Sequence, residues 1–178
     1  MKITIVGRGS HADHLMSFLK AKSNYEVNQI EYEELNDKEG SDTSYVIAIG
    51  DNNKRAEIFV KLKKLRQRLP SFQIINNDIT IVDDDRGIQM LSGVRYYPTT
   101  FIGENTILNT GCIVEHHACV GRHSHIAPGA IILGNAKIGE KCLVGAASVV
   151  LPHLNIADGT LVKAKSLVKE DINATAIK

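Results

Sequence analysis

The sequence predicts a small α/β domain over residues 1–76, followed by a parallel β-helix over residues 100–170. Two observations lead to this fold class. Short apolar runs alternate with amphipathic segments in the first half, which is typical of helices packed on a sheet. Aliphatic residues recur at every sixth position in the second half, which is typical of a hexapeptide solenoid. Residues 77–99 are either a linker or an irregular first coil, and residues 171–178 form a C-terminal tail.

The first half has the pattern of four strands and two helices in the order βαββαβ. The predicted strands are KITIVG, YEVNQIEY, SYVIAIG and SFQIINN, and the third is apolar enough to be covered on both faces. The predicted helices are SHADHLMSFLKAK, whose apolar residues share one face, and residues 52–68, which end before Pro70. The order favours a mostly parallel sheet.

The second half has a period of six residues. The aliphatic residues of the repeat are Ile102, Leu108, Val114, Val120, Ile126, Ile132, Ile138, Val144, Val150, Ile156, Val162 and Val168. Two positions before each stands a residue that is nearly always small: Thr100, Thr106, Cys112, Ala118, Ser124, Ala130, Ala136, Cys142, Ser148, Leu154, Thr160 and Ser166.

A period of six fits neither an amphipathic helix nor an alternating strand, and it is the signature of a hexapeptide β-helix. Each hexad forms one face of a triangular prism, with the aliphatic side chain inside and the small residue at the corner. Three hexads complete a coil, so residues eighteen apart stack, and the repeat predicts about four coils. For residues 77–99 we favour an incomplete first coil over a linker.

Composition excludes several classes of function. The 21 basic and 20 acidic residues give a net charge of +1, which argues against a nucleic-acid binder. The basic segment NNKRAEIFVKLKKLRQRLP has helical apolar spacing and is interpreted as a solvated helix face. No apolar run approaches the ~20 residues of a membrane span. Three cysteines without CxxC spacing indicate reduced thiols, hence a cytoplasmic protein.

Four histidines lie within ten residues: His116, His117, His123 and His125. Because His117 and His123 occupy the same slot of consecutive hexads, they lie on different faces of the prism. His116 and His125 are half a coil apart and point away from each other. One chain therefore does not bring three of these rings to a zinc ion, and no metal site is predicted. The alternative to a functional role is a polar surface residue, an interpretation we favour for His123 and for His153.

The loop VGRGSHADHL follows the first strand and precedes the first helix. Backbone N–H groups at such a helix N-terminus favour phosphate. A G-x-G pattern alone is weak evidence, so a plain strand-to-helix turn is the alternative. AIGDNN after the third strand supplies a second turn at the same edge of the sheet.

The stretch VEHHACVGRHSHIAPGAIILGNAKIGEKCLVGAASVVLPHLNIADGTLVKAKSLV resembles the hexapeptide-repeat sugar O- and N-acetyltransferases. This family includes UDP-4-amino-sugar N-acetyltransferases, sialic acid O-acetyltransferases and GDP-perosamine N-acetyltransferases. The resemblance covers nearly the whole chain. It implies a Rossmann-like N-terminal nucleotide-sugar domain, a left-handed β-helix, acetyl-CoA as co-substrate, a homotrimer and a role in glycan biosynthesis.

The resemblance also implies site residues. The family's catalytic base falls on His116, and His117 stands where the family usually has an acidic residue, so both are candidate catalytic residues. The residues that the resemblance assigns to the acetyl-CoA site are His125, Gly134, Ala146 and Ala164. With the resemblance, Gly7, Gly9, Ser10 and His11 become the expected diphosphate-sugar site. Gly50, Asp51 and Asn52 join it from the turn at the same edge of the sheet, and Glu31 ends the second strand, where an acidic residue could contact ribose hydroxyls.

The expected function is therefore transfer of an acetyl group from acetyl-CoA to the amine of a nucleotide-linked amino sugar of the UDP-4-amino-sugar type, with a histidine as general base. The alternatives are O-acetylation of sialic acid or another sugar, and a non-catalytic nucleotide-sugar-binding scaffold. Since the histidines face outward from a prism, the cleft that buries the reaction is expected between subunits.

Overall fold

A computed structural model describes residues 1–22, 24–35, 43–76 and 78–173. The N-terminal elements are β1 (Lys2–Val6), α1 (Ser10–Lys20), β2 (Glu26–Ile30), a 3₁₀ helix (Tyr32–Glu34), β3 (Thr43–Ile47), α2 (Asn52–Lys64), β4 (Ser71–Ile75) and β5 (Asp78–Val82). The two-residue strands that follow are β6 (Gln89–Met90), β7 (Arg95–Tyr96), β8 (Phe101–Ile102), β9 (Ile107–Leu108), β10 (Ile113–Val114), β11 (Cys119–Val120), β12 (His125–Ile126), β13 (Ile131–Ile132), β14 (Lys137–Ile138), β15 (Leu143–Val144), β16 (Val149–Val150), β17 (Asn155–Ile156), β18 (Leu161–Val162) and β19 (Leu167–Val168).

β1, β2 and β3 form a parallel sheet in the order β2-β1-β3, with a helix on each face. Ile3 and Ile5 of β1 pack in the same apolar cluster as α1, whereas Val6 packs in the cluster of α2. The central strands are therefore covered on both sides, as the apolar run SYVIAIG predicts. No helix in the described ranges is long and apolar enough to cross a membrane.

The second half is a β-solenoid of parallel sheets, as the six-residue period predicts. Its strands β6–β19 make about five coils: β8–β19, on the twelve predicted hexads, account for four, and β6 and β7 form an incomplete first coil before them. In this first coil Gln89 pairs with Ile107 and Arg95 with Ile113, each eighteen residues on. Met90 and Tyr96 interrupt the aliphatic series there, so the count of hexads alone does not include this coil. The left-handed sense of the β-helix stays a prediction.

The interior of the solenoid follows the hexad pattern. The aliphatic residues of the repeat are all buried, and most of the small residues beside them are fully buried at the corners. Only glycine fits at position Gly121, because a Cβ there would lie 2.5 Å from the carbonyl carbon of Gly139 in the next coil. The residue before each small residue mostly has a positive φ, as at Asn105, Gly111, His117, His123, Gly129, Asn135, Lys141, Ala147, His153, Gly159 and Lys165.

The predicted boundary at residue 76 falls inside a continuous sheet. β4 was expected in the α/β domain, but it pairs in parallel with β6 of the solenoid and antiparallel with β5. Phe72 and Ile74 of β4 still pack in the cluster of α1. The apolar pattern of this strand is the same in either sheet, so the sequence alone did not distinguish them.

Arg55 of α2 joins the α/β layer to the solenoid. It was expected on a solvated helix face, but its side chain is 0 % exposed. Its guanidinium donates to the carbonyls of Asn105, Ile49, Gly50, His123 and Ser124 and to Asn52 Oδ1, over 2.7–3.1 Å. Burial is the main cause that lowers the pKa of Arg55 to about 10.

The three faces of the solenoid differ in what their outward side chains meet. The seven-stranded sheet carries the α/β layer on its first coils, where Gln89 and Ile107 are buried. The five-stranded sheet presents a stacked apolar column, here called the apolar face, made of Ile113, Ile131, Val149 and Leu167. The four-stranded sheet presents a mixed column of Phe101, Cys119, Lys137 and Asn155.

Candidate active site

His116 and His117 form the turn between β10 and β11, at the corner between the five-stranded and four-stranded sheets. Both side chains are exposed. His117 has a φ of 59°, a left-handed conformation that its slot in the hexad imposes. The two ring centroids are 5.3 Å apart, and the two Nδ1 atoms lie within hydrogen-bond distance at 3.1 Å. We call these two residues the exposed pair.

Neighbouring coils fix the position of the His116 ring. The Tyr97 ring meets it edge-on with a centroid distance of 6.2 Å. One coil further on, Gly134 lies directly against the ring, since a Cβ at that position would be 2.7 Å from His116 Cε1. Any other residue at Gly134 would displace the imidazole. The glycine that the resemblance assigned to the acetyl-CoA site therefore makes room for the proposed base.

The exposed His116 ring can accept a proton from a bound substrate. Nδ1 of His116 faces His117, which leaves Nε2 as the nitrogen available to a ligand. A positioned imidazole of this kind is the commonest general base in proteins. Within one chain, however, the corner is open to solvent on both sides, so a second wall is needed to exclude water.

His123 was interpreted as a polar surface residue, and the structure corrects this. Its side chain is buried where α2 covers the solenoid, with its ring edge-on to Phe59 at 5.5 Å. Nδ1 of His123 lies 2.8 Å from Asn105 Nδ2. Burial, reinforced by Arg122 and Arg55, lowers the pKa of His123 to about 4. His153 is exposed, as predicted.

His125 lies on β12 in the seven-stranded sheet, beside the turn after β3, and not at the corner of the exposed pair. Asn109 Nδ2 donates to its Nε2 over 3.0 Å, since the Asn109 oxygen already accepts from the Thr110 amide. Burial lowers the pKa of His125 to about 4, with Arg55 and His11 adding to the shift and the Gly50 backbone opposing it. His123 and His125 are here called the covered pair.

The other residues assigned to the acetyl-CoA site fall at two corners. Gly134 belongs to the corner of the exposed pair, whereas Ala146 and Ala164 belong to the corner between the seven-stranded and five-stranded sheets. One chain therefore places the predicted catalytic and cofactor residues at opposite edges of the apolar face. The structure does not bring them together within a subunit.

The loops assigned to the nucleotide sugar meet at the carboxyl ends of β1 and β3. In a sheet of order β2-β1-β3 this is where the chain reverses direction between neighbouring crossovers, and ligands bind in the crevice outside such a point. A Cβ at Gly9 or at Gly50 would meet nothing within 4 Å, so the crevice is open at both glycines. Gly7 differs: its φ is 116° and a Cβ would be 3.0 Å from the Ala48 carbonyl oxygen.

Several polar residues assigned to the nucleotide sugar have structural partners. Asp51 caps α2 through the Lys54 amide, and Asn52 donates to the carbonyls of Lys141 and Cys142 in the solenoid. Glu31 lies at the end of β2, 3.7 Å from Arg8 of the first loop. Ser10 is exposed as the first residue of α1. The side chain of Asn52 is thus committed to holding the crevice on the solenoid.

His11 lies in the first turn of α1, and its ring contacts the solenoid. Its Nε2 lies 2.8 Å from Gln89 Oε1, and the Gln89 amide nitrogen donates to the Ile47 carbonyl. The ring must therefore donate from Nε2 to Gln89. Burial is the main cause that lowers the pKa of His11 below its ordinary value.

Sequence reasoning missed Arg55, Gln89, Asn109 and Tyr97. The coil period of eighteen residues is the signal that could have found two contacts of the exposed pair. Thr99 lies eighteen residues before His117 and accepts from its backbone N–H over 3.2 Å, and Tyr97 lies beside it. Arg55 gave no signal, because one buried arginine in a basic helix looks like its solvated neighbours. In the described ranges, no group of three or more His, Cys, Asp or Glu residues could hold a metal ion.

Comparison with known proteins finds matches among solved structures. No protein-family model matches the sequence, and a search of curated proteins found no match. Among solved structures, PerB from Caulobacter crescentus in complex with CoA and GDP-perosamine superposes with a TM-score of 0.80 at 21% identity, covering 100% of this chain and 94% of that chain.

Two further structures have the same architecture. The acetyltransferase domain of PglB from Neisseria gonorrhoeae gives a TM-score of 0.78 at 18% identity, over 96% of this chain and 92% of that one. WeeI from Acinetobacter baumannii gives 0.67 at 15% identity, over 97% and 93%. The chain thus has the fold of these proteins along nearly its whole length, including the α/β layer.

Proposed function

We propose that the protein is an acetyl-CoA-dependent N-acetyltransferase that acts on the amine of a nucleotide-linked amino sugar. The observation that carries the proposal is the exposed pair, an accessible imidazole held by Tyr97 and accommodated by Gly134. The structural likeness supports the same chemistry, because PerB is described in complex with CoA and GDP-perosamine.

His116 is the general base of this reaction. The unprotonated amine attacks the thioester carbonyl, and its proton passes to Nε2 of His116 as the tetrahedral intermediate forms. The intermediate collapses when the C–S bond breaks, and the CoA thiolate leaves and takes up the proton. Such a base contributes ~10²–10⁴-fold to the rate.

The nucleotide diphosphate binds in the crevice at Gly9 and Gly50. The N-terminus of α1 and the backbone amides of the loop attract phosphate. The buried Arg55 guanidinium donates to the Gly50 carbonyl and places a positive charge beside this crevice, where Asp51 is the acidic group that acts on it. Glu31 is the proposed partner of ribose hydroxyls. A UDP-linked 4-amino sugar is our first candidate, and GDP-linked sugars are the alternative.

The active unit is a homotrimer in which the apolar face packs against a second copy. Val149 and Leu167 lie on this face, and Leu167 is 52% exposed in one chain. The face separates the corner of His116 from the corner of Ala146 and Ala164, so a neighbouring copy would supply the wall that either corner lacks. Leu167→Glu should dissociate the assembly in sedimentation and abolish turnover, whereas Lys137→Glu on the four-stranded face should do neither.

The decisive experiment is an assay with acetyl-CoA and a panel of UDP- and GDP-amino sugars, following release of free thiol. Turnover with a nucleotide-linked amino sugar supports the proposal. Turnover with free sialic acid alone would favour the O-acetyltransferase alternative. Tight nucleotide-sugar binding without turnover would favour a non-catalytic scaffold.

A further inference from the structure

The hydrogen bond within the exposed pair determines which nitrogen of His116 carries hydrogen. The two Nδ1 atoms lie 3.1 Å apart. Two neutral rings can share such a contact only when one Nδ1 donates and the other accepts. Two arrangements are therefore available, and they differ in whether Nε2 of His116 is free to accept a proton.

Only one arrangement leaves His116 basic toward a substrate. If His117 donated, the hydrogen of the neutral His116 ring would sit on Nε2, the nitrogen that is not engaged by His117. If His116 donates from Nδ1, Nε2 keeps its lone pair and His117 carries its own hydrogen on Nε2. Since Nδ1 of His116 is covered by its partner, Nε2 is the single nitrogen that can reach an amine.

We propose that His117 is a positioning residue: its Nδ1 accepts from Nδ1–H of His116, selects the tautomer with a free Nε2 and stabilises the imidazolium formed when His116 takes the proton. A carboxylate usually fulfils this orienting role for a catalytic histidine. In this protein a second imidazole fulfils it. The proposal rests on the function proposed above for His116.

The turn that carries His117 tolerates different side chains at this position. His117 has a φ of 59°, a left-handed conformation. The same slot is filled by glycine in other hexads, as at Gly129, and by Asn135 and Ala147. The slot itself therefore does not require histidine, and it accepts the substitutions needed for a test.

The test compares His117→Ala with His117→Asn in the assembled protein. Ala147 and Asn135 show that either residue suits the turn, but only asparagine offers a side-chain oxygen that can accept from His116. We expect His117→Ala to lower kcat at least about 10-fold with KM nearly unchanged, and His117→Asn to stay within about 3-fold of wild type. His153→Ala, in the same column of corner residues, should leave kcat unchanged.

A second readout does not depend on activity. In ¹⁵N-detected NMR at alkaline pH, His116 should appear as the Nδ1–H tautomer in the wild type and in His117→Asn, and should lose this preference in His117→Ala. The inference is overturned if wild-type His116 carries its hydrogen on Nε2, if His117→Ala keeps its rate, or if His117→Asn falls as far as His117→Ala. If His116→Ala itself keeps its rate, the proposed function fails instead, whatever tautomer NMR finds.

Discussion

The exposed pair and the covered pair lie within ten residues of sequence, yet the fold gives them opposite environments. His116 and His117 stand at an open corner, whereas His123 is buried under α2 and His125 is held beside Gly50. The hexad period distributes consecutive histidines over different faces of the prism, and the α/β layer then covers one of those faces. Clustering in sequence therefore indicates neither a shared site nor a shared role.

The two pairs are therefore expected to affect different properties of the protein. The covered pair should matter for stability and its dependence on pH, and the exposed pair should matter for turnover. The variants below test this division, from the largest expected effect on stability to the smallest.

The largest change in the free energy of unfolding should come from lowering the pH. The pKa of both covered histidines is lowered from 6.5 to about 4, so the unfolded chain binds more protons than the folded chain in this range. Their contribution is complete above the unfolded pKa and is lost as the pH falls toward the folded pKa. Between about pH 7.5 and about pH 5, each should cost roughly 2 kcal/mol of unfolding free energy.

Urea unfolding at several pH values measures this loss. His123→Asn keeps the left-handed turn, since Asn105 and Asn135 occupy the same slot. It should remove about half of the loss that the covered pair causes. A wild-type unfolding free energy that does not change over this range would contradict the buried, uncharged state of the covered pair.

The second effect concerns Arg55. Arg55→Met should cost at least about 3 kcal/mol, because it leaves buried carbonyls of both layers without a donor. The matched control is Arg122→Ala, an exposed arginine paired with Glu140, which should cost no more than about 1 kcal/mol. Thermal or urea unfolding of both variants checks the difference, and equal costs would refute the role of Arg55 as the link between layers.

The third effect concerns Gly134. Gly134→Ala should cost about 1 kcal/mol through the collision with the His116 ring, and it should lower kcat without removing any functional group. The stability cost should vanish when His116→Ala is already present, because the ring is then gone. An undiminished cost in the double variant would mean that the added methyl group meets something other than His116.

The smallest effect on stability is expected at the crevice. Gly9→Ala and Gly50→Ala should change the unfolding free energy by less than about 0.5 kcal/mol, since both glycines face open space. Both should weaken binding of a nucleoside diphosphate, measured by calorimetry. Gly7→Ala should instead destabilise the protein by about 1–3 kcal/mol, because its backbone is left-handed and its neighbour is a backbone carbonyl. If Gly9→Ala and Gly50→Ala both bind the nucleoside diphosphate as tightly as the wild type, the ligand does not bind in this crevice.

The solenoid was predictable from sequence because one physical rule, an aliphatic side chain inside every hexad, repeats along the chain. The first coil was favoured over a linker, but its strands were not located, because Tyr96 breaks that rule. The placement of β4 and the burial of Arg55 were not predictable, because both depend on how the two layers pack together and neither leaves a periodic trace. The corner of His116 followed from the hexad register, whereas its contact with Tyr97 depends on the register of the first coil, which the aliphatic pattern does not determine.

Acetyl transfer by His116→Ala tests the division between the two pairs most directly. The measurement is kcat for thiol release from acetyl-CoA with the best nucleotide-linked amino sugar, and His123→Asn is measured in parallel. Both assays are run near pH 7.5, where the covered pair is uncharged in the folded and in the unfolded protein. We expect His116→Ala to lose at least ~10²-fold in kcat while the protein stays folded and assembled, and His123→Asn to keep most of its rate. If His116→Ala keeps most of its rate and His123→Asn loses it, the catalytic role belongs to the covered pair and the account is wrong.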